Sequence, residues 1–300
     1  MNGCRVGGQE IPDELVGEFA DSAALLGDPP ALRRRMEADG YLFFRGALNP
    51  DEVVAARAAV LERLVEVGEI QPPAIEGIAT GTSRRREVAG DLGAFWKSVS
   101  ETPEFRRVTH GPRLRSVMDT VFGEPSRPHD YLFLRVGVAG RYTDLHYDYP
   151  FFSRGSQRVH TVWLALGDVP VVQGPLVVVE GSHRFDDLIG ASRVDYAAQA
   201  SRRVALTEDP VTLARNRGVR LLTADFRAGD LVVFGMSTLH GALDNHSPEG
   251  RVRLSCDIRY QPAADPLDER YFGPNPVGTT GAGYGELNGA KPLTEPWHVR

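Results

Sequence analysis

The second half of the chain alternates between short apolar runs and turn residues. The runs are rich in Val, Leu, Ile and aromatic side chains, and Gly, Pro, Asp or Ser separates them: YLFLRVGV, VHTVWLALGDV, GPLVVVEG, GDLVVFGM and VRLSCDIRY. Such runs predict β-strands, and most of the gaps are too short for a helical crossover, so antiparallel pairing is favoured. We therefore predict a double sheet or jelly roll over about residues 126–262.

The first half has a different pattern. Residues 1–30 show weak periodicity and are interpreted as an N-terminal extension, while residues 31–39 predict a helix that ends at Gly40 before the short strand YLFFRG. Asn49 and Pro50 are typical of a helix start, and the following EVVAARAAVLERLVEVG has apolar residues at helical spacing. Residues 31–125 are expected to support the β region with helices and one strand.

Three long segments interrupt the regular pattern. They cover residues 71–94, an insertion at 184–224 that contains the helical stretch VDYAAQASRRVAL, and a Pro/Gly-rich tail at 263–300. Loops on a rigid scaffold commonly set specificity, so we expect these segments to roof a site. With the β core they make one domain over residues 1–300.

Composition narrows the class of protein. The chain has 300 residues, 42% of them hydrophobic, which suits one large domain, and its net charge of −6 argues against a nucleic-acid partner. The arginine runs at 33–35 and 84–86 are expected to be solvated, although the second could meet an anionic substrate.

We expect neither a membrane helix nor a secretory signal. No stretch reaches the ~20 apolar residues of a membrane helix, and the first residues include no apolar leader. The two cysteines, Cys4 and Cys256, form neither a disulfide framework nor a CxxC site. We predict a cytoplasmic protein with no membrane partner and leave its oligomeric state open.

The segment DLHYDYP contains a candidate metal site. Residues two apart in a strand face the same side, about 7 Å apart, so His146 and Asp148 could reach one metal ion. Two histidines and one carboxylate form the facial triad of non-haem Fe(II) oxygenases, which leaves open coordination positions. His-x-Asp alone is a weak motif and is also compatible with a surface or turn pair.

A third ligand has to come from a distant strand. The candidates are His160, His183, His240, His246 and His298. His240 closes the run GDLVVFGMSTLHG, and a histidine there is equally compatible with a structural role at the end of a strand.

Polar and apolar residues alternate in the last run, RVRLSCDIRY. Arg251, Arg253, Ser255 and Asp257 share one face, which is unusual in a β core. A guanidinium binds a carboxylate through paired, charge-assisted hydrogen bonds, so Arg251 or Arg253 could hold a carboxylate co-substrate. The alternative is a salt bridge to Asp257 or to a surface acid.

The run HTVWLALGD contains two further candidates. An aromatic residue in a strand is usually part of the core, but Trp163 could also form a wall of a co-substrate pocket. Thr161, on the same face, could donate a hydrogen bond to a bound carboxylate.

The ordered series resembles the phytanoyl-CoA dioxygenase family of Fe(II)/2-oxoglutarate oxygenases. The matching pieces, over about residues 37–260, are ADGYLFFRGALNPDEV, LHYDY, TVWLAL, QGPLVVVEGSHR, GDLVVFGMSTLHG and GRVRLSCDIRY. The resemblance implies a mainly β protein with flanking helices and a double-stranded β-helix core, the cupin-like jelly roll. It implies Fe(II) held by His146, Asp148 and His240, with 2-oxoglutarate and O2 as co-substrates.

The resemblance also assigns the co-substrate pocket. It implies that Arg251, eleven positions after His240, binds 2-oxoglutarate and that Trp163 lines the pocket. The chain departs from the family at Ala242, where a small hydroxyl residue is common, and at Glu180, where the Gly-Ser-His turn often has Pro. Asp148 favours hydroxylation, since halogenating relatives lack this carboxylate.

The expected substrate is a small molecule. We expect hydroxylation or oxidative cyclisation in natural-product biosynthesis, including antibiotics of the amino-sugar type. Hydroxylation of an acyl-CoA is the alternative within the family. A cupin-like isomerase or ligand-binding module would use the metal site without 2-oxoglutarate.

Overall fold

The computed structural model describes residues 3–199 and 203–296. The strands are β1 Arg5–Val6, β2 Gln9–Glu10, β3 Val16–Glu18, β4 Tyr41–Phe44, β5 Ser126–Pro128, β6 Phe133–Gly137, β7 Thr143–His146, β8 His160–Ala165, β9 Leu176–Val179, β10 Leu221–Thr223, β11 Leu231–Gly235, β12 His240–Ala242 and β13 Arg253–Pro262. The helices are α1 Pro29–Asp39, α2 Pro50–Glu66, α3 Arg85–Val88, α4 Leu92–Ser100, α5 Pro103–His110, α6 Pro112–Phe122, α7 Tyr149–Phe152, α8 Asp186–Ser192 and α9 Pro210–Arg217.

Two sheets form the centre of the molecule. The smaller has the strand order β3-β10-β9-β12-β7, and the larger has the order β4-β11-β8-β13-β5, with β6 also paired to β13. Pairing within them is antiparallel except between β3 and β10. The predicted jelly-roll core with flanking helices is confirmed.

The long strand β13 has one apolar face and one polar face. Its residues Leu254, Cys256, Ile258 and Tyr260 belong to one buried cluster with apolar residues of α2, α4, α5 and α6. Because side chains alternate along a strand, Arg253, Ser255, Asp257 and Arg259 face the other way, into the space between the sheets, and all four are buried. The interior of the barrel is therefore polar along this strand.

The predicted start of α2 is confirmed at Asn49 and Pro50. The Asn49 side chain accepts a hydrogen bond from the backbone N–H of Asp51, and Pro50 occupies the first turn. α1 ends at Gly40, whose φ of 76° lies in the left-handed region.

Two segments differ from the expectations. Residues 16–18 of the predicted extension form β3 and pair with β10. The predicted helical stretch 194–206 forms only a 3-10 turn at Tyr196–Ala198, and residues 200–202 lie outside the described part of the chain. Leu206 N donates to Leu145 O instead, so the backbone there covers the open edge of β7.

No helix in the described ranges has the length and apolar character needed to cross a membrane. Cys4 and Cys256 are both buried free thiols.

Candidate metal centre

The structure brings His146, Asp148 and His240 together. Strands β12 and β7 are neighbours, and their register places His240 opposite His146. Asp148 follows β7 by two residues, and the three side chains offer ligand atoms within 4.8 Å of one another. All three are at most 5% exposed. The spacing and burial suit a single metal ion.

Backbone carbonyls determine which nitrogen of each histidine is available. His146 Nδ1 lies 2.9 Å from Asp144 O, and His240 Nδ1 lies 3.0 Å from Thr238 O. A carbonyl only accepts, so each Nδ1 carries the proton and each Nε2 keeps its lone pair for a metal. Burial lowers the pKa of His146 to about 3, which keeps this ring neutral near pH 7.

Side chains hold the Asp148 carboxylate. Thr161 Oγ1 donates to Oδ2 at 2.5 Å, and Arg259 Nη2 lies 3.0 Å from both Oδ1 and Oδ2. Burial raises the pKa of Asp148, but Arg259, the two imidazoles and the Thr161 hydrogen bond together bring it below its usual value. Imidazole nitrogens with one ionised carboxylate oxygen are the donor set that non-haem Fe(II) takes.

A cavity lies against this cluster. Its wall contains His146 and Asp148, two arginines, an aromatic group and part of the C-terminal segment: Arg135, Arg259, Phe133, Phe151, Phe152, Tyr196, Thr279, Thr280, Glu286, Leu287 and Asn288. Two of the three irregular segments thus reach the site, through Tyr196 and through residues 279–288. The Tyr196 hydroxyl is buried and has no hydrogen-bond partner in the described ranges.

Arg251 does not reach this cavity. Its Nη2 lies 2.7 Å from Glu76 Oε2, its Nη1 donates to Glu76 O, and its side chain is 34% exposed. Residue 251 precedes β13 and forms an isolated bridge with Ile78, so the regular alternation of the strand does not extend to it. Counting eleven positions from His240 therefore selects a residue on the outer loop.

Arg253 is the arginine of this pair that faces the interior. It is 6% exposed, and its guanidinium lies against Gly137, where a Cβ would come within 3.1 Å of Nη2. Its Nη1 donates to Ser255 Oγ, and among the described residues Nε has no hydrogen-bond partner. Burial lowers the pKa of Arg253 to about 10, so it stays charged near pH 7.

A second, basic cavity contains Arg253. Arg135, Arg141 and Lys291 also line it, and it shares Arg135 and Asn288 with the cavity at the metal centre. The two cavities are therefore neighbours.

The other sequence candidates take different places. Trp163 packs on Phe226 between the sheets, with ring centroids 4.6 Å apart, and is absent from the lining of both cavities. Thr161 is at the site, but its hydroxyl donates to Asp148. His183 contacts Glu37 O near α1, and His298 lies outside the described residues.

The arginine run at 84–86 is not uniformly solvated. Arg84 and Arg86 are exposed and paired with Glu87 and Glu295. Arg85 is fully buried and binds Glu69 at 2.5 Å.

Arg259 is a candidate functional residue that was not predicted from the sequence. The signal was present, because Arg259 continues the polar alternation of Arg253, Ser255 and Asp257 on one face of β13.

Comparisons with known proteins agree on the class of this site. The model of the phytanoyl-CoA dioxygenase (PhyH) family matches residues 36–253. An ectoine dioxygenase of Bordetella bronchiseptica is 28% identical over 276 residues, which cover 87% of this chain and 82% of the relative. A 1-deoxypentalenic acid 11-beta-hydroxylase of Streptomyces exfoliatus is 26% identical over 262 residues, which cover 84% of this chain and 87% of the relative.

The fold is also found among solved structures. The crystal structure of the epimerase SnoN in complex with Fe3+, alpha ketoglutarate and nogalamycin RO superposes with a TM-score of 0.52 and 23% identity. The match covers 89% of this chain and 94% of that chain. At this identity the likeness shows a shared fold.

Proposed function

Because the chain belongs to the phytanoyl-CoA dioxygenase family of Fe(II)/2-oxoglutarate-dependent oxygenases, we propose that it oxidises a small organic molecule at iron held by His146, Asp148 and His240. The observation that carries this proposal is the convergence of these three buried side chains within 4.8 Å. Iron with 2-oxoglutarate and O2 supplies the oxidising chemistry, and the protein supplies binding and orientation.

The polypeptide contributes a preformed ligand set. His146 and His240 present Nε2 because their Nδ1 protons are bound to carbonyls, and Asp148 is ionised and oriented by Thr161 and Arg259. The aromatic side chains Phe133, Phe151 and Phe152 form an apolar part of the cavity wall.

Arg253 is the residue that we assign to the distal carboxylate of 2-oxoglutarate, in place of Arg251. A buried guanidinium with no carboxylate partner is costly, and a bound carboxylate would offset that cost. The basic cavity around Arg253 adjoins the metal centre, as a co-substrate that reaches both would require.

The substrate cavity favours a small molecule over an acyl-CoA. Its volume is about 100 Å³, and part of its wall comes from the C-terminal segment, through Thr279, Thr280, Glu286, Leu287 and Asn288. The names of the relatives refer to ectoine and 1-deoxypentalenic acid, which supports hydroxylation of a small metabolite. The Tyr196 hydroxyl, which has no hydrogen-bond partner among the described residues, suits a polar atom of such a substrate.

The test of this function is coupled binding of metal and 2-oxoglutarate. A ligand that binds only the folded state raises stability, by about 2.7 kcal/mol at one hundred times its Kd. We expect Mn(II) to raise the temperature midpoint of unfolding, and 2-oxoglutarate to raise it further only when Mn(II) is present. Asp148→Ala should lose both increases. Asp187→Ala, which removes an exposed carboxylate on α8, is the matched control and should keep them.

Two outcomes would contradict the proposal. Full shifts in Asp148→Ala would remove it from the ligand set. A shift with Mn(II) but none with millimolar 2-oxoglutarate would favour the cupin-like isomerase or binding module. Succinate formation with ectoine, 1-deoxypentalenic acid and related metabolites then identifies the substrate class.

A further inference from the structure

A row of alternating charges runs through the barrel to the metal centre. Arg135 Nε lies 3.0 Å from Asp257 Oδ2, and Arg259 Nη1 lies 3.9 Å from the same oxygen. Arg259 Nη2 then lies 3.0 Å from both oxygens of Asp148. Asp148 is thus the last member of a network that begins on β6 and crosses β13.

Arg259 has little freedom to move. Its side chain is 2% exposed, and its guanidinium carbon lies 4.3 Å from the centroid of Phe133 and 4.7 Å from that of Phe152. Nη1 also donates to Asp257 O. The aromatic rings and the two acids hold the guanidinium at the carboxylate.

Asp148 depends on such contacts more than the histidines do. It lies beyond the end of β7, with helical φ and ψ of −78° and −20°, and its side chain makes no capping hydrogen bond to α7. His146 and His240 are fixed by backbone carbonyls, whereas the Asp148 carboxylate accepts hydrogen bonds from two side chains of the described residues, Thr161 and Arg259. The orientation of the carboxylate is therefore set by those two residues.

We propose that Arg259 is a positioning residue of the metal centre, which fixes the plane of the Asp148 carboxylate and balances its buried charge before metal binds. This inference rests on the proposed metal site. Partners that hydrogen-bond a metal ligand typically change metal affinity or activity by about 10–100-fold when they are removed.

The experiment compares metal binding in the full-length protein and its variants. We expect Arg259→Gln to weaken Mn(II) binding about 10–100-fold by calorimetry. We also expect the visible spectrum of the Co(II)-loaded protein to change, because that spectrum reports coordination geometry. Arg259→Lys keeps the charge but loses the planar fork, so it should give an intermediate affinity.

Arg57→Gln is the matched control. Arg57 is also a buried arginine, but its hydrogen bond goes to Leu166 O, away from the ligand set. This variant should keep the wild-type Mn(II) affinity and Co(II) spectrum, so a general effect of losing a buried guanidinium would be visible in it.

The outcomes separate this inference from the proposed function. Wild-type affinity and spectrum in Arg259→Gln, with binding lost in Asp148→Ala, would overturn the role of Arg259 alone. Absence of Mn(II) binding by the wild type would overturn the metal site and this inference with it. If Arg259→Gln does not fold, as judged by its metal-free unfolding transition, Arg259→Lys decides on the same two measurements.

Discussion

Three arginines face the interior of the barrel, and their partners differ. Arg135 pairs with Asp257 and Arg259 pairs with Asp148, each at 3.0 Å. Arg253 is hydrogen-bonded to a serine and has no salt bridge in the described ranges. A buried guanidinium that is not in a salt bridge can bind an incoming carboxylate.

Replacing Arg253 by Ala should therefore weaken 2-oxoglutarate binding strongly. Truncating one member of a buried charge pair typically costs about 2–5 kcal/mol. Arg251→Ala removes a half-exposed guanidinium and should cost less than about 1 kcal/mol. Calorimetric titration of both Mn(II)-loaded variants with 2-oxoglutarate checks this, and the reverse ranking would return the carboxylate-binding role to Arg251.

For individual residues, the sequence predicts the side-chain orientations that follow from strand periodicity. Arg253 shares a face with Asp257 on β13, so their common orientation can be read from the chain. His146 and Asp148 converge as expected, but Asp148 lies beyond β7 with helical φ and ψ, so strand alternation is not the reason. The position of Arg251 could not, because an isolated bridge with Ile78 and an ion pair with Glu76 take it out of the strand. Those contacts join residues far apart in the sequence.

Contacts from helices α3 and α4 hold the C-terminal segment that lines the cavity. Arg85, at the start of α3, binds Glu69 and donates to the carbonyls of Gly289 and Lys291. Its guanidinium carbon also lies 5.4 Å from the centroid of Trp96 in α4. Leu287 and Asn288, which line the cavity, directly precede these carbonyls.

Arg85→Gln should loosen the C-terminal segment without changing metal affinity. It leaves Glu69 buried without its partner, which typically costs about 3–5 kcal/mol. Arg86→Gln breaks the exposed pair with Glu295 and should cost at most about 1 kcal/mol. Urea unfolding gives the stabilities, and limited proteolysis should cut the C-terminal segment faster in Arg85→Gln only. Equal rates of proteolysis in Arg85→Gln and Arg86→Gln would exclude the role of Arg85 in anchoring the C-terminal segment.

Elements were predictable where the apolar pattern is strong. The core strands β6, β8, β9 and β11 fall within the predicted runs, and β13 extends two residues beyond its run, because most residues on both faces of these strands are buried. The stretch 194–206 has helical periodicity, but Leu206 at its end donates a backbone hydrogen bond to Leu145 of β7, a contact that no local pattern records.

Across the whole molecule, several histidines are buried in neutral form. Burial lowers the pKa of His129 to about 3, and burial together with Arg106 lowers that of His110 to about 3. Their folded-state pKa values lie below the usual 6.5, so between pH 3 and 6.5 the unfolded chain binds more protons. The stability that these groups contribute is complete above pH 6.5 and is lost as the pH falls.

The metal-free protein should therefore lose stability between pH 7 and pH 5. Each such histidine contributes a slope of about 1.4 kcal/mol per pH unit below its unfolded pKa. His129 packs among Phe152, Tyr271 and Phe272, so His129→Phe should reduce the loss by about 2 kcal/mol. Urea unfolding of both proteins at the two pH values measures this, and an unchanged pH dependence would contradict the neutral state of His129.

The architecture as a whole was the most predictable level. Short apolar runs with turn residues between them define a jelly roll regardless of which residue holds which contact. The pairing of β3 with β10 was not predictable, because three residues with weak periodicity acquire their structure from a strand about 200 positions later.

The two kinds of support around the metal ligands differ in how they can change. The carbonyls of Asp144 and Thr238 orient His146 and His240, and no substitution of a side chain deletes a carbonyl. Thr161 and Arg259, which orient Asp148, can each be lost in a single mutation. Substitutions can therefore remove the contacts that orient the carboxylate but not those that orient the imidazoles. Natural or engineered variants would change this metal centre through the contacts of Asp148.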